Sequence, residues 1–187
     1  MSKPEPYSVP TTRGAYIVTG AASGLNLEIT RRLLALGCHV SAWDLARGGL
    51  EGIADRKLTF HALDVRDRAA QARAADETAN VHGGIAGALC GAGIMPLAPF
   101  LATTEAGFDR VLAVNARALL LLAQGLLDRM PQPGGAIVAI ASTEALSVHA
   151  TSGRTSPAYA SSKAAVVALV RNLAAEWGPR GIRVNAV

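Results

Sequence analysis

Short continuous apolar runs alternate along the chain with stretches in which apolar residues recur at helical spacing. The short runs predict buried strands, and the helical spacing predicts helices with a buried stripe. The predicted strands are Ala15–Thr19, 39–43, 58–63, 85–89, 136–140 and a sixth that begins at 183. The predicted helices are 25–36, 68–82, 108–130 and 158–177, and Asp67 is the expected N-cap of the second helix. This alternation predicts an α/β fold, a single domain built on a doubly wound, Rossmann-like parallel sheet.

The predicted helix at 108–130 is apolar on most of its sides. A helix that is apolar all round is covered on more than one side. One side is expected to face the sheet, and the other a second subunit. The sequence therefore predicts a homodimer or homotetramer that forms through the helices at 108–130 and 158–177.

The first 13 residues contain three prolines and no apolar run, which predicts a flexible tail before a domain at 14–187. The apolar run at 118–127 is too short to span a bilayer. No signal peptide or membrane anchor is evident, so a soluble cytoplasmic protein is expected.

The composition argues against several classes of binding partner. The chain has 187 residues, a net charge of +4 and only 4% aromatic residues. Its basic residues are dispersed, which is unlike a nucleic-acid groove. The two cysteines, Cys38 and Cys90, match no metal-ligand spacing. We therefore expect neither a nucleic acid nor a metal.

A glycine-rich turn from Gly20 to Gly24 joins the first predicted strand to the first predicted helix. This arrangement aims helix N-terminal amides at a phosphate. Asp44 ends the second strand, 44 − 20 = 24 residues after Gly20. A carboxylate there binds the adenosine ribose and favours NAD over NADP. Asp44 could instead cap the segment after it, and nearby Arg47 keeps NADP as the less favoured alternative.

Tyr159 and Lys163 are four residues apart, so on a helix they share one face. A phenol has a reference pKa of about 10. One cation about 5 Å away stabilises its ionised form by about 3 kcal/mol at an effective dielectric constant of about 20. The pair could therefore exchange a proton with a substrate near neutral pH, although it could also be an ordinary surface tyrosine beside a solvated lysine.

From about residue 13 to Val187, the chain resembles the short-chain dehydrogenase/reductase family. The family's glycine turn is similar to Thr19–Asn26, and its Asp-Val pair to Asp64–Val65. The motif after its fourth strand aligns with 90–93, and that of its sixth strand with 183–187. The residues that match its catalytic set are Asn115, Ser142, Tyr159 and Lys163. Those that match its cofactor site are Gly20, Ser23, Gly24, Leu25, Asp44, Asp64, Val65, Gly91, Tyr159 and Lys163.

The resemblance implies a hydride transfer between a nicotinamide cofactor and a small-molecule secondary alcohol or ketone. Tyr159 would act as general acid or base, and Lys163 would assist it and hold the nicotinamide ribose. Ser142 would hydrogen-bond the substrate oxygen, and Asn115 would hold a water that links Lys163 to solvent. The expected cofactor is NAD, with NADP less favoured.

The chain departs from the family pattern at several positions. Asn26 replaces the third glycine of the turn, so its side chain must point away from the cleft or narrow it. Weaker cofactor binding is therefore expected. Cys90 and Gly91 replace two asparagines. The loop from Ser142 to Pro157 is longer than usual and holds Glu144, His149 and Arg154, which line the substrate pocket or are solvated.

The chain also stops inside the sixth strand, before the substrate-covering segment that the family usually carries. The C-terminal part of the family's domain is therefore expected to be missing. Two alternative functions stay open at this point. One is a non-catalytic dinucleotide-binding or scaffold protein, and the other is an NADP-dependent 3-oxoacyl thioester reductase.

Overall fold

The computed structural model describes residues 14–131, 134–147 and 155–187. Its centre is one six-stranded sheet in the order β3-β2-β1-β4-β5-β6, in which every neighbouring pair is parallel. The strands are β1 (Ala15–Thr19), β2 (Val40–Asp44), β3 (Leu58–Ala62), β4 (Ile85–Cys90), β5 (Ala136–Ala139) and β6 (Arg183–Ala186). The predicted doubly wound parallel sheet is confirmed. The predicted tail at 1–13 and the loop residues His149 and Arg154 lie outside the described residues.

The helices are α1 (Gly24–Ala35), α2 (Arg68–His82), α3 (Glu105–Leu112), α4 (Ala118–Leu126) and α5 (Pro157–Trp177). The predicted cap of α2 is present: the Asp67 carboxylate accepts from the amides of Ala69 and Ala70 at 2.8 and 3.0 Å. This satisfies two of the amides that a helix start leaves without intrahelical partners. No helix in the described part of the chain is long and apolar enough to cross a membrane.

The helix predicted at 108–130 differs from a single regular helix. It begins earlier, at Glu105, because the Thr104 hydroxyl accepts from the Gly107 amide and caps it. Between α3 and α4 the chain forms a π-helical turn, Ala113–Arg117, and α4 ends at Leu126. A π turn adds one residue to a helix and changes the direction of its side chains locally. Apolar spacing alone does not report such a turn.

Two cores lie on opposite faces of the sheet, and β1 contributes to both. Ile17 is buried on the face that α2, α4 and α5 cover, and Val18 on the face that α1 covers. A parallel strand covered on both faces reads as a continuous apolar run, which explains the sequence of β1. Within the chain, α2 packs along α4, and α3 packs against α5. The apolar flanks of the 108–130 segment are therefore largely covered by neighbouring helices.

Candidate active site

The carboxyl ends of β1, β2 and β4 open into a cleft of about 290 Å³. β1 lies between β2 and β4, where the strand order reverses, and ligands of open α/β sheets bind at this place. Most of the predicted cofactor residues line the cleft. These are Gly20, Ser23, Asp44, Asp64, Val65 and Gly91. Gly24 and Leu25 are not in its lining; they form the first turn of α1, where the Leu25 side chain is 61% exposed.

The glycine turn is fixed by backbone geometry at Gly20. Its φ is 68°, and a Cβ atom there would lie 2.9 Å from the Cα of Ala92. Both conditions favour glycine. Ser23 is the N-cap of α1, with extended backbone and no hydrogen bond from its side chain to the helix amides. The Ser23 hydroxyl and the first amides of α1 are therefore available to an anion.

Asp44 joins the end of β2 to the glycine turn. One carboxylate oxygen accepts from the Ala22 amide at 2.9 Å, and the other from the Leu45 amide at 2.7 Å. Each oxygen retains capacity for a further hydrogen bond. Asp44 therefore both shapes the turn and presents negative charge to the cleft. Arg47 is not in the cleft lining, and its guanidinium lies 5.2 Å above the Phe60 ring.

Asp64 forms a two-point ion pair with Arg66 at the same end of the cleft. The Arg66 Nε lies 3.0 and 2.9 Å from the two carboxylate oxygens. The hydrogen bond from Arg66 holds the pKa of the Asp64 carboxyl below its usual value. Val65 is buried, and its carbonyl accepts from the buried Gln71 side chain at 2.5 Å. Arg66 and Gln71, which fix this corner, were not identified from the sequence.

A buried hydroxyl, that of Thr19, connects the two sides of the cleft floor. Its Oγ1 accepts from the amides of Gly91 and Ala92 at 3.1 and 3.2 Å. It also donates to the Leu89 carbonyl at 3.4 Å. The loop after β4 is thus tied to the end of β1. Thr19 precedes Gly20 in the glycine motif, and that position was the only sequence signal for its role.

The side chain of Asn26 enters the cleft instead of pointing away from it. A Cβ atom added at Gly91 would lie 2.5 Å from the Asn26 amide carbon and closer still to its oxygen. Because Gly91 has no side chain, the space beside it is open to the Asn26 amide. The Asn26 Oδ1 is buried, and it has no hydrogen-bond partner among the described residues.

Lys163 is almost fully buried, with 4% of its surface exposed. Its ammonium donates to the Ile140 carbonyl at 2.5 Å and lies 5.6 Å from the centre of the Tyr159 ring. Burial lowers the pKa of Lys163 below its ordinary value, because a charge away from water is disfavoured. Gly93 lines the cleft, and a Cβ atom built on Gly93 would lie 3.8 Å from this ammonium. The predicted Tyr159–Lys163 pair is therefore formed, next to the cleft.

Asn115 lies in the π turn and uses its side chain to hold other parts of the site. Its Oδ1 accepts from the Ile94 amide at 2.8 Å, and its Nδ2 donates to the Ile94 carbonyl at 2.9 Å. Nδ2 also donates to the Ser162 hydroxyl at 2.9 Å, and that hydroxyl donates to the Tyr159 carbonyl at 2.7 Å. Asn115 thus connects the cleft loop to the helix that carries Tyr159. Ser162 was not identified from the sequence.

Ser142 follows β5, two residues after Ile140, whose carbonyl holds Lys163. The Ser142 hydroxyl accepts from the Glu144 amide at 3.2 Å and caps the short helical turn Thr143–Ala145. This turn packs against α5. Ser142 and Lys163 are therefore both positioned by the end of β5. Glu144 contributes its backbone amide here.

Comparison with known proteins identifies the family. A family model described as enoyl-(acyl carrier protein) reductase matches residues 20–187. D-threitol dehydrogenase of Mycolicibacterium smegmatis is 38% identical over 181 residues, which cover 91% of this chain and 67% of that protein. Levodione reductase of Leifsonia aquatica is 34% identical over an alignment of 194 positions, gaps included, that covers 96% of this chain and 71% of that protein.

A solved structure agrees with these sequence matches. The crystal structure of a dehydrogenase/reductase from Sinorhizobium meliloti superposes with a TM-score of 0.82 at 31% identity, over 94% of this chain and 71% of that one. The chain thus spans about 70% of the length of these relatives. The chain belongs to the short-chain dehydrogenase/reductase family, whose members are NAD(P)-dependent oxidoreductases.

Proposed function

We propose that this protein interconverts a small secondary alcohol and its ketone with NAD as cofactor, and that Tyr159 holds the exchanged proton. The observation that carries this proposal is the buried ammonium of Lys163, which lies 5.6 Å from the Tyr159 ring beside the cleft. Burying a lysine is costly unless its charge is used or neutralised. The positive charge of Lys163 has a function if the neighbouring Tyr159 oxygen carries negative charge during the reaction.

Lys163 is proposed to favour negative charge on the Tyr159 oxygen during proton transfer, because its ammonium lies 5.6 Å from the centre of that ring. The Ile140 carbonyl fixes the ammonium and partly replaces its lost hydration. Tyr159 then accepts the hydroxyl proton during alcohol oxidation and returns it during ketone reduction.

Ser142 is proposed to bind the substrate oxygen. Its hydroxyl accepts from the Glu144 amide, which leaves its own proton available to a substrate. A donor at this oxygen stabilises charge that develops there during the reaction. Asn115 is proposed to position the site, because its side chain is committed to Ile94 and Ser162. The Asn115 oxygen has a second lone pair, so its role in holding a water on the path from Lys163 to solvent stays a prediction.

The cleft fits a dinucleotide. A phosphate is proposed to bind at the start of α1, because Ser23 lines the cleft and its hydroxyl makes no bond to the first helix amides. Asp44 would accept from the adenosine ribose hydroxyls, and Asp64 and Val65 would border the adenine. Lys163 would hold the nicotinamide ribose. The bound nicotinamide supplies or accepts the hydride.

NAD is proposed over NADP because of the charges around Asp44. A 2′-phosphate there would approach a carboxylate. Arg47, the cation that could have offset this, lies over Phe60, and Arg66 is paired with Asp64. Two named relatives, a D-threitol dehydrogenase and a levodione reductase, support small polar alcohols and ketones as the substrate class.

The test is Tyr159→Phe, compared with Tyr16→Phe as a matched control on β1. Turnover is followed by absorbance of the reduced nicotinamide, with a panel of secondary alcohols and ketones. Tyr159→Phe is expected to lower turnover by about 10²- to 10⁴-fold, since it removes the general acid and base. Cofactor affinity, measured by calorimetry, should fall by no more than about tenfold, because the phenol contributes at most one hydrogen bond to it. Retained turnover in Tyr159→Phe would refute the assignment.

The same measurements distinguish the proposed function from two alternative functions. Cofactor binding without turnover on any substrate would favour the non-catalytic binder or scaffold. A preference for NADPH with a 3-oxoacyl thioester would favour the reductase of thioesters.

A homodimer or homotetramer through the 108–130 and 158–177 helices stays a prediction, which light scattering tests. A cytoplasmic location also stays a prediction.

A further inference from the structure

Asn26 and Gly91 fit each other across the floor of the cleft. Asn26 lies in the first turn of α1, and Gly91 directly follows β4. The Asn26 amide covers the face of Gly91 so closely that a Cβ atom there would lie 2.5 Å from its Cγ. Real Cβ contacts are never this short, so this amide position requires glycine at position 91.

The two ends of the amide have different surroundings. Oδ1 is turned toward the loop at Gly91, where it is buried and has no partner in the described part of the chain. Nδ2 lies 2.5 Å from the position that a Cβ atom would take at Gly91 and 3.0 Å from the corresponding position at Gly20. Nδ2 is absent from the buried atoms that lack a partner, and Asn26 lines the cleft. The amino group is therefore the end of the amide that a ligand can reach.

Asn26 lies in the middle of the cleft. Asp44 and Asp64 line one end, and Gly93, beside Lys163, lines the other. In a dinucleotide that spans such a cleft, two phosphates join the two nucleosides. The start of α1, which favours anions, is at this same place.

We propose, on the basis of the dinucleotide function proposed above, that the Asn26 amide positions the phosphate-bearing centre of the cofactor from the space that Gly91 leaves open. Nδ2 donates to the phosphate on the nicotinamide side of the cofactor, on the side of β1 where Gly91 and Lys163 lie, and Oδ1 packs against the loop. A glycine at position 26 would leave this space empty. This proposal is the opposite of the expectation from the sequence, that Asn26 weakens cofactor binding, and the experiments below decide between the two.

The first test compares two ligands and three variants by calorimetry. The ligands are NADH and AMP, since AMP lacks the second phosphate and the nicotinamide half. Asn26→Ala should raise the Kd for NADH by about three- to tenfold, as expected for one hydrogen bond. Asn26→Asp, of the same shape but negatively charged, should raise it by at least about tenfold. Neither variant should change the Kd for AMP, and the exposed control Asn172→Ala should change neither value.

The second test is a double-mutant cycle. Gly91→Ala should weaken NADH binding because the new methyl group displaces the Asn26 amide. In the Asn26→Ala background, Gly91→Ala should add little, because the amide is no longer present to displace. Two quantities are measured for each variant of the cycle: the Kd for NADH and the thermal midpoint of the ligand-free protein. Neither measurement depends on turnover.

Each outcome has one reading. If the unaltered protein binds neither NADH nor NADPH, the proposed function fails. If it binds NADH, but Asn26→Asp binds it equally well, the role of Asn26 is refuted. Equal losses for NADH and AMP, or additive effects in the cycle, would also overturn the proposal. The expected pattern is a selective loss for NADH and non-additive effects at positions 26 and 91.

Discussion

The Asn115 side chain donates a 2.9 Å hydrogen bond to the hydroxyl of Ser162, which is fully buried. Through that hydroxyl, the π turn contacts the first turn of α5, where Tyr159 lies. Ser162→Ala removes this link. The free energy of unfolding should fall by about 1–2 kcal/mol, as for a lost buried hydrogen bond. Turnover should fall as well, because the Tyr159 carbonyl loses its donor.

Ser161 provides the matched control for this substitution. It lies on the same helix but is exposed. Ser161→Ala should leave both stability, measured by urea denaturation, and turnover near those of the unaltered protein. Equal behaviour of the two alanine variants would contradict a positioning role for Ser162.

Asp44→Asn should reduce the preference for NAD over NADP. The asparagine oxygen can still accept from the Ala22 amide, so the glycine turn keeps this bond, whereas the Leu45 amide loses its acceptor and the negative charge is removed. The ratio of NAD to NADP affinities should fall by at least about tenfold, since a like-charge contact costs several kcal/mol. Asp128→Asn, at a carboxylate 90% exposed on its side chain, is the control for a general change in charge. An unchanged ratio in Asp44→Asn would contradict the assignment.

Lys163→Met should stabilise the protein near pH 7 while it abolishes turnover. Because burial lowers the pKa of Lys163, the unfolded chain binds more protons than the folded one between that lowered pKa and about 10.4. The stability of the unaltered protein therefore rises with pH across this window. Lys163→Met lacks this rise, so its advantage in thermal midpoint should shrink as the pH increases toward 10.4.

Lys57→Met is the control for the lysine experiment. The Lys57 ammonium also donates to a carbonyl, that of Gly37 at 3.0 Å, but at an exposed site. Its replacement should give no comparable, pH-dependent gain in thermal midpoint. A constant difference between Lys163→Met and the unaltered protein at all pH values would show that burial of the charge is not the cause.

Thr19→Val should destabilise the cleft floor. Valine keeps the shape of threonine but leaves the amides of Gly91 and Ala92 without their acceptor. The expected loss is about 1–3 kcal/mol of unfolding free energy, together with faster hydrogen exchange at these two amides. Thr19→Ser should restore much of both, whereas Thr59→Val, at an exposed position of β3, should change neither. Unchanged exchange in Thr19→Val would refute the link.

Much of the fold was predictable because its signals are local. Apolar runs located every strand to within one or two residues, and Asp67 marked the start of α2. The spacing of Tyr159 and Lys163 predicted their shared helix face, which the structure confirms. Each of these signals depends on residues close together in the sequence.

The parts that sequence did not predict depend on distant residues. Thr19 accepts from amides more than 70 positions away, and Asn26 depends on the absence of a side chain at Gly91. Arg47 is a candidate for a 2′-phosphate by its place in the sequence, and only the structure shows that its guanidinium lies over the Phe60 ring. No periodicity or motif carries such information, because it appears only when the sheet brings the segments together.

The π turn at Ala113–Arg117 determines how this segment should respond to the deletion of one residue. Such a turn is equivalent to one residue inserted into an α-helix and absorbed locally. A deletion of one residue within the turn should therefore leave α4 in register, yet remove the position from which Asn115 reaches Ile94 and Ser162. The same deletion inside α4 would rotate the following residues by about 100° and expose leucines of the core. A protein that lacks one residue of this turn is therefore expected to keep its fold and to lose turnover, because the Asn115 contacts to Ile94 and Ser162 are lost.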